Sequence, residues 1–208
     1  MANGKFIFTH VLKPFNLIFK TMAMKKFTMI SLFVLSSFFL FCQNTNGQFP
    51  NSWEGEWFGQ LSIFKDTGKV RELPMALHIL PIDTASVPSW TWTIMYGEDQ
   101  EAGKRPYELI TVDAAKGFYL IDEKNTIKME GYYIGGQFYQ WFEVQGSRLL
   151  TKTEMVGDAL VWEIVVGSDQ PVSTTGGSVF EGEEIPPVKA FPISNLQRAV
   201  LRKKTGGG

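Results

Sequence analysis

Between residues 53 and 167 apolar and polar positions alternate with period two, and turn residues interrupt the alternation every eight to twelve positions. That pattern predicts short strands joined by tight turns, an antiparallel meander. Trp57, Gly59, Leu61 and Ile63 alternate with Glu56, Gln60 and Ser62, and Asp66-Thr67-Gly68-Lys69 then turns the chain. Trp90, Trp92, Ile94 and Tyr96, set against Ser89, Thr91 and Thr93, form the clearest strand. Residues 107–112 and 118–121 follow, and residues 127–133 pair back across Glu123-Lys124-Asn125-Thr126. Gly135-Gly136 leads into Phe138, Phe142 and Val144, whose neighbours are Tyr139, Trp141 and Glu143. Residues 149–155 and 160–166 complete nine strands, and residues 196–203 supply a last one. Residues 73–80 are apolar on both parities, so alternation does not assign their inward face.

Residues 168–189 have no period and are rich in Gly, Pro, Ser and acid, which predicts a long surface loop or a partly disordered flap. Thr205 and the three glycines after it read as a flexible tail over 205–208. No stretch beyond residue 47 carries a helical period. The fold class is therefore all-β. A meander of this many strands must protect two edges, and pairing the last strand with the first removes both. The expected architecture is an up-and-down barrel of about 8–10 strands. A two-sheet β-sandwich is the alternative, but it needs long crossings, and only 168–189 is long enough for one.

The first 47 residues differ from the rest. They hold five lysines and no acid, and residues 27–41 are an uncharged apolar run. As a helix that run spans about 22 Å, short of a bilayer's hydrocarbon core of about 30 Å. Met24-Lys25-Lys26 reads as the charged start of a signal peptide, with Thr45 and Gly47 as the small residues before the cut. Met24 opens a complete signal by itself, so the true start is placed there, with residues 1–23 upstream of it. A lipoprotein cut before Cys42 is the rival, disfavoured by Phe41 where a small residue is preferred. The expectation is a secreted or periplasmic protein, with residues 48–204 as one domain and membrane contact only through a lipid on Cys42.

Export changes the charge and the chemistry. Beyond residue 47 stand 15 basic residues against all 21 acidic ones, a net charge of −6. An acidic domain with no basic stripe argues against nucleic acid and against an anionic membrane surface. The single cysteine lies in the signal, so no disulfide can form and a packed core must stabilise the domain.

The opening Ser52-Trp53-Glu54-Gly55-Glu56-Trp57 contains Gly-x-Trp at the head of the first strand. It resembles the opening of lipocalins and the wider calycin group of barrels. That resemblance implies that Trp57, with Gly55 before it, closes one barrel end. It also implies that Arg198 or Arg202, from the far end of the chain, packs over the indole, since a guanidinium lies flat on it. The chain lacks the Thr-Asp-Tyr turn of the lipocalin pattern, a C-terminal helix and the helical lid of fatty-acid-binding proteins.

Catalytic chemistry has little to draw on. His78 is the one histidine beyond residue 47, so any histidine-based mechanism or haem ligation passes through it. A strand histidine facing solvent or bonded to a neighbour is the favoured reading, and no cofactor is expected. Asp122, Glu123, Glu130, Glu143 and Glu163 include candidates for an acid/base pair, Glu143 and Glu163 lying among aromatics. Glu143 is expected outward, because adjacent strand residues face opposite ways. Glu181-Gly182-Glu183-Glu184 lacks the oxygen spacing of a calcium loop.

The aromatic supply is more informative. All six tryptophans and all six tyrosines lie beyond residue 47. Trp90, Trp92, Tyr96, Phe138, Phe142 and Trp162 share parity with the apolar set of their strands, so they are expected to face the interior, as pocket walls or as packed core. Phe58, Tyr119, Tyr139 and Trp141 form an expected outer set. Three readings follow. The first is an exported barrel that binds a small hydrophobic ligand inside. The second is a filled barrel acting as a protein-interaction or envelope structural module, and the third a carboxylate-dependent enzyme.

Overall fold

A computed structural model describes residues 48–204. The expected signal over 1–47, with Met24 and Cys42, and the expected tail over 205–208 lie outside the described residues. Period-two alternation becomes nine strands in succession. They are β1 (Gly55–Lys65), β2 (Gly68–Ile79), β3 (Ser89–Tyr96), β4 (Arg105–Asp113), β5 (Phe118–Asp122), β6 (Lys128–Ile134), β7 (Gln137–Val144), β8 (Ser147–Val156) and β9 (Ala159–Ser168). Each pairs antiparallel with the one before it.

The chain then leaves the wall. Residues 168–189 are not an unstructured loop; they carry two short ladders. β10 (Ser173–Thr175) pairs with β13 (Val188–Ala190), and β11 (Val179–Phe180) pairs with β12 (Glu183–Glu184) at the tip. The periodicity was invisible because the ribbon is exposed on both faces, Val179, Phe180 and Val188 included, so no face imposes an apolar alternation. β14 (Ile193–Lys203) then lies between β9 and β1 and closes a ten-stranded barrel. Closure excludes the sandwich.

Turn chemistry sets the hairpins. Gly135 and Gly136 join β6 to β7 with φ of 61° and 85°, the left-handed pair that a two-residue hairpin turn requires. Register then decides which side chains enter. In β2 the inward set is Leu73, Met75, Leu77 and Ile79, which resolves the face that alternation left open. Tyr119 also points in and is buried, contrary to its expected place on the outside. Phe118-Tyr119-Leu120-Ile121 is apolar on both parities, so the pattern did not say which pair was interior.

One end of the barrel is plugged by the segment ahead of β1. Phe49 stacks on Tyr133 at 4.5 Å, and it meets Trp53, Tyr119 and Phe138 between 4.7 and 5.2 Å. A 3-10 turn over Asn51–Trp53 turns the chain from this plug into β1. Aromatic pairs of this kind add about 0.5–1.5 kcal/mol each beyond the burial of their area. The filled end contains Phe49, Trp53, Trp57, Leu160 and Leu201, all buried. The other end is less full.

Candidate functional site

Away from the plug, the interior holds a cavity of about 140 Å³. Its aromatic walls come from four strands: Trp92 and Tyr96 on β3, Tyr107 on β4, Phe142 on β7 and Trp162 on β9. Tyr96 and Trp162 meet edge-on across the barrel with ring centres 6.4 Å apart. Met129, Ile121 and Ile164 supply further apolar surface. Of the six residues expected to face the interior, Trp92, Tyr96, Phe142 and Trp162 line this space together. Trp90 and Phe138 do not line it. Both belong to the packed core, Phe138 edge-on to Trp92 at 5.4 Å and Trp90 donating its indole N–H to Glu54 at 2.9 Å.

The cavity also contains polar groups that alternation alone had not singled out. Gln140 is 7% exposed and lines the cavity between Phe138 and Phe142 in sequence. Its Oε1 accepts from the Thr151 hydroxyl at 3.3 Å, while its Nε2 is buried with no hydrogen-bond partner. The signal was present: Gln140 has the same inward parity as Phe138 and Phe142. A polar residue at such a position is costly unless something bonds it. Glu123 lies at the lining's edge beside Tyr107. Burial, and then the charge of Glu123, push the Tyr107 hydroxyl above its ordinary range. Burial also raises Tyr96 strongly, with Tyr107 adding to it, so both phenols stay protonated in neutral solution.

Apart from Glu123, the charged candidates lie elsewhere. Glu163 faces out from β9, where Lys152 Nζ stands 2.7 Å away and Arg198 Nε 3.6 Å away. Lys152 also bonds Glu154 at 2.9 Å, and this bond is the main reason the Glu154 carboxyl lies below its ordinary range. Glu143 is exposed and paired with Arg148. Glu130 takes the Tyr132 hydroxyl on the surface, and Asp122 accepts from the backbone N–H of Lys124 at 2.8 Å. No acid/base pair is assembled from these side chains. Glu183 and Glu184 lie in the ribbon tip, and among the described residues no group of three or more His, Cys, Asp or Glu is placed to hold a metal ion.

His78 has the opposite parity to Leu77 and Ile79, so it sits on the outer wall, edge-on to Phe58 at 5.5 Å. Its Nε2 is buried without a partner, and burial lowers its pKa. A molecule in the interior is out of its reach.

The closing tryptophan has a different cation from the one expected. Trp57 is 1% exposed, and its indole N–H donates to the Trp53 carbonyl at 2.8 Å. The group over its ring is the Lys203 ammonium, 5.0 Å from the centroid. Arg202 instead bonds Asp158 at 2.6 Å, and Arg198 faces Glu163. Register is the cause: Trp57 stands opposite Lys203 and Phe58 opposite Arg202, so Arg202 falls on the outer face. Gly55 leaves the path open, since a Cβ there would stand 2.9 Å from Lys203 Cε.

Of the expected outer aromatics, Trp141 is 74% exposed, and Phe58 and Tyr139 are half-buried. Trp141, Arg148, Leu150, Val165, Phe191 and Ile193 border an open groove of about 390 Å³ where the ribbon leaves the wall. Arg148 lies over the Phe191 ring at 4.3 Å.

No protein-family model matches the chain, and no curated protein matches it. Among solved structures it is similar to a protein of unknown function from the DUF3598 family of Nostoc punctiforme. The two share 13% identity at a TM-score of 0.50 over 74% of this chain and 48% of that one. The chain thus spans about half the length of that protein, and the likeness is one of fold.

Proposed function

We propose that this protein is an exported, calycin-like barrel that binds a small hydrophobic molecule in its interior. The observation that carries the reading is the unpartnered Nε2 of Gln140 in a cavity walled mainly by aromatic and aliphatic side chains. A filled core would leave no reason to bury that group unbonded. Size limits the occupant. Drug-sized molecules occupy roughly 300–1,000 Å³, whereas roughly 150 Å³ holds a benzene ring. Calycin kinship is supported by Gly55, Trp57 and a C-terminal cation over the indole, with a lysine in the arginine's place.

Export is supported by the signal-like first 47 residues and by the acidic domain that follows. On this reading the mature chain begins at Gln48, next to the plug residue Phe49, which N-terminal sequencing of the protein from its own host checks. Palmitate labelling at Cys42 would show the lipid-anchored form instead. Native mass spectrometry of protein purified from that host tests ligand binding. The expected spectrum contains a second species heavier by one small, non-covalently held molecule that is lost on denaturation. A bare polypeptide that also takes up no benzene at saturation contradicts the reading.

One observation favours the second reading, an interaction module. Trp141 is an exposed aromatic beside an apolar groove at the ribbon's base. That reading expects deletion of the ribbon to abolish capture of a partner while leaving thermal unfolding of the barrel unchanged.

A further inference from the structure

Resting on the ligand-binding reading, we infer that the interior site selects an uncharged, single-ring molecule carrying a hydrogen-bond acceptor, which accepts a hydrogen bond from the unpaired Gln140 Nε2. Volume gives the ring count. The cavity of about 140 Å³ matches the roughly 150 Å³ that accommodates one six-membered ring. Shape gives planarity: Trp92, Trp162 and Phe142 present aromatic surfaces from three different strands. The amide gives the acceptor. Gln140 Oε1 is engaged by Thr151 at 3.3 Å, so the group left over is the N–H donor.

Charge is excluded from both sides. No Lys, Arg or His lines the cavity, so an anion would enter without a counter-ion, past the carboxylate of Glu123. Lys124, the nearest cation along the chain from Glu123, has its ammonium 2.8 Å from Glu108. A cation would find aromatic faces and Glu123, but a cation without an acceptor atom leaves the buried Gln140 Nε2 unpaired. The deep polar group therefore decides against it. A long-chain fatty acid fails on both length and charge.

The test compares two molecules of one shape. Pyridine, uncharged at pH 8, adds an acceptor to the outline of benzene. Both are titrated into the protein, with tetramethylammonium and benzoate as charged probes. Amide-resolved NMR follows the Gln140 side chain in the unaltered protein. We expect pyridine to move the Gln140 NH₂ resonances downfield, as a hydrogen bond to its nitrogen does, and benzene to produce no such downfield shift. Gln140→Leu should cut pyridine affinity about tenfold and leave benzene binding within about twofold, because the mutant removes the donor and keeps the volume. Pyridine and benzene binding alike in both proteins would overturn the acceptor assignment while leaving interior binding in place. Tighter binding of tetramethylammonium or benzoate than of pyridine would overturn the uncharged class. Failure of every probe, together with an empty protein from the host, would reject the binding function itself.

Discussion

Lys203 holds its ammonium 5.0 Å from the centre of the Trp57 ring, and it reaches there across the bare backbone of Gly55. The contact joins the last strand to the first at the point where the barrel closes. Lys203→Ala should lower stability by about 0.5–1 kcal/mol in urea unfolding, the usual size of a cation–π contact. Arg202→Ala removes only an exposed pair with Asp158 and should change stability by less than about 0.5 kcal/mol. Gly55→Ala should cost more than either, because φ at this position is 141° and the new Cβ meets the lysine stem.

The aromatic plug predicts a larger effect. Phe49 touches four rings, so Phe49→Ala empties the middle of the filled end and should cost about 3–5 kcal/mol. Trp141→Ala, a larger deletion at an exposed position, should stay within about 0.5 kcal/mol. Denaturant midpoints of the two variants read the difference directly.

Gly131 is a test of packing rather than of backbone freedom. A Cβ there would lie 2.2 Å from Phe138 Cζ, and Phe138 is 1% exposed among the plug residues. Gly131→Ala must displace that ring, at a cost of about 1–3 kcal/mol. Thermal unfolding should show it, and Phe138→Leu in the same chain should recover part of the loss.

Stability should decline in two steps as pH falls. Burial lowers the pKa of folded His78 below 6.5, with Lys104 and Lys204 acting in the same sense and Glu56 opposing. The unfolded chain therefore takes up the proton first. Stability is full above about pH 6.5 and falls as pH drops from there through the folded pKa. The second decline belongs to carboxylates held below their ordinary range. Glu154, bonded to Lys152, and Asp122, bonded to the Lys124 N–H, stabilise the fold above their unfolded pKa values and cease to do so as pH falls through the folded ones. Unfolding free energies measured from about pH 8 to about pH 2 should lose the first step in His78→Leu and keep the second.

Alternation carried most of the architecture. Trp90, Trp92, Ile94 and Tyr96 declared their inward face because polar residues separate them, and all ten barrel strands were legible as elements, though not all by face. It failed where both parities are apolar, as in 73–80 and around Tyr119, because apolar residues on both faces leave no contrast to read. It also failed for the ribbon over 168–189, which packs neither face. The site was half visible. Trp92, Tyr96, Phe142 and Trp162 followed from parity, but parity could not separate them from Trp90 and Phe138, which differ only in height along the barrel axis. Gln140 was readable as a polar residue in an inward row. Lys203 was not, since a one-residue change of register exchanges it with Arg202.

We propose the interior beside Gln140 as a binding site and not a gap left by packing. A high-resolution crystal structure of the protein purified from its own host tests it most directly. The expected density is a flat ring among Trp92, Phe142 and Trp162, with an acceptor atom at hydrogen-bond distance from Gln140 Nε2. A collapsed interior, with those rings packed against one another and Nε2 bonded within the protein, would contradict it.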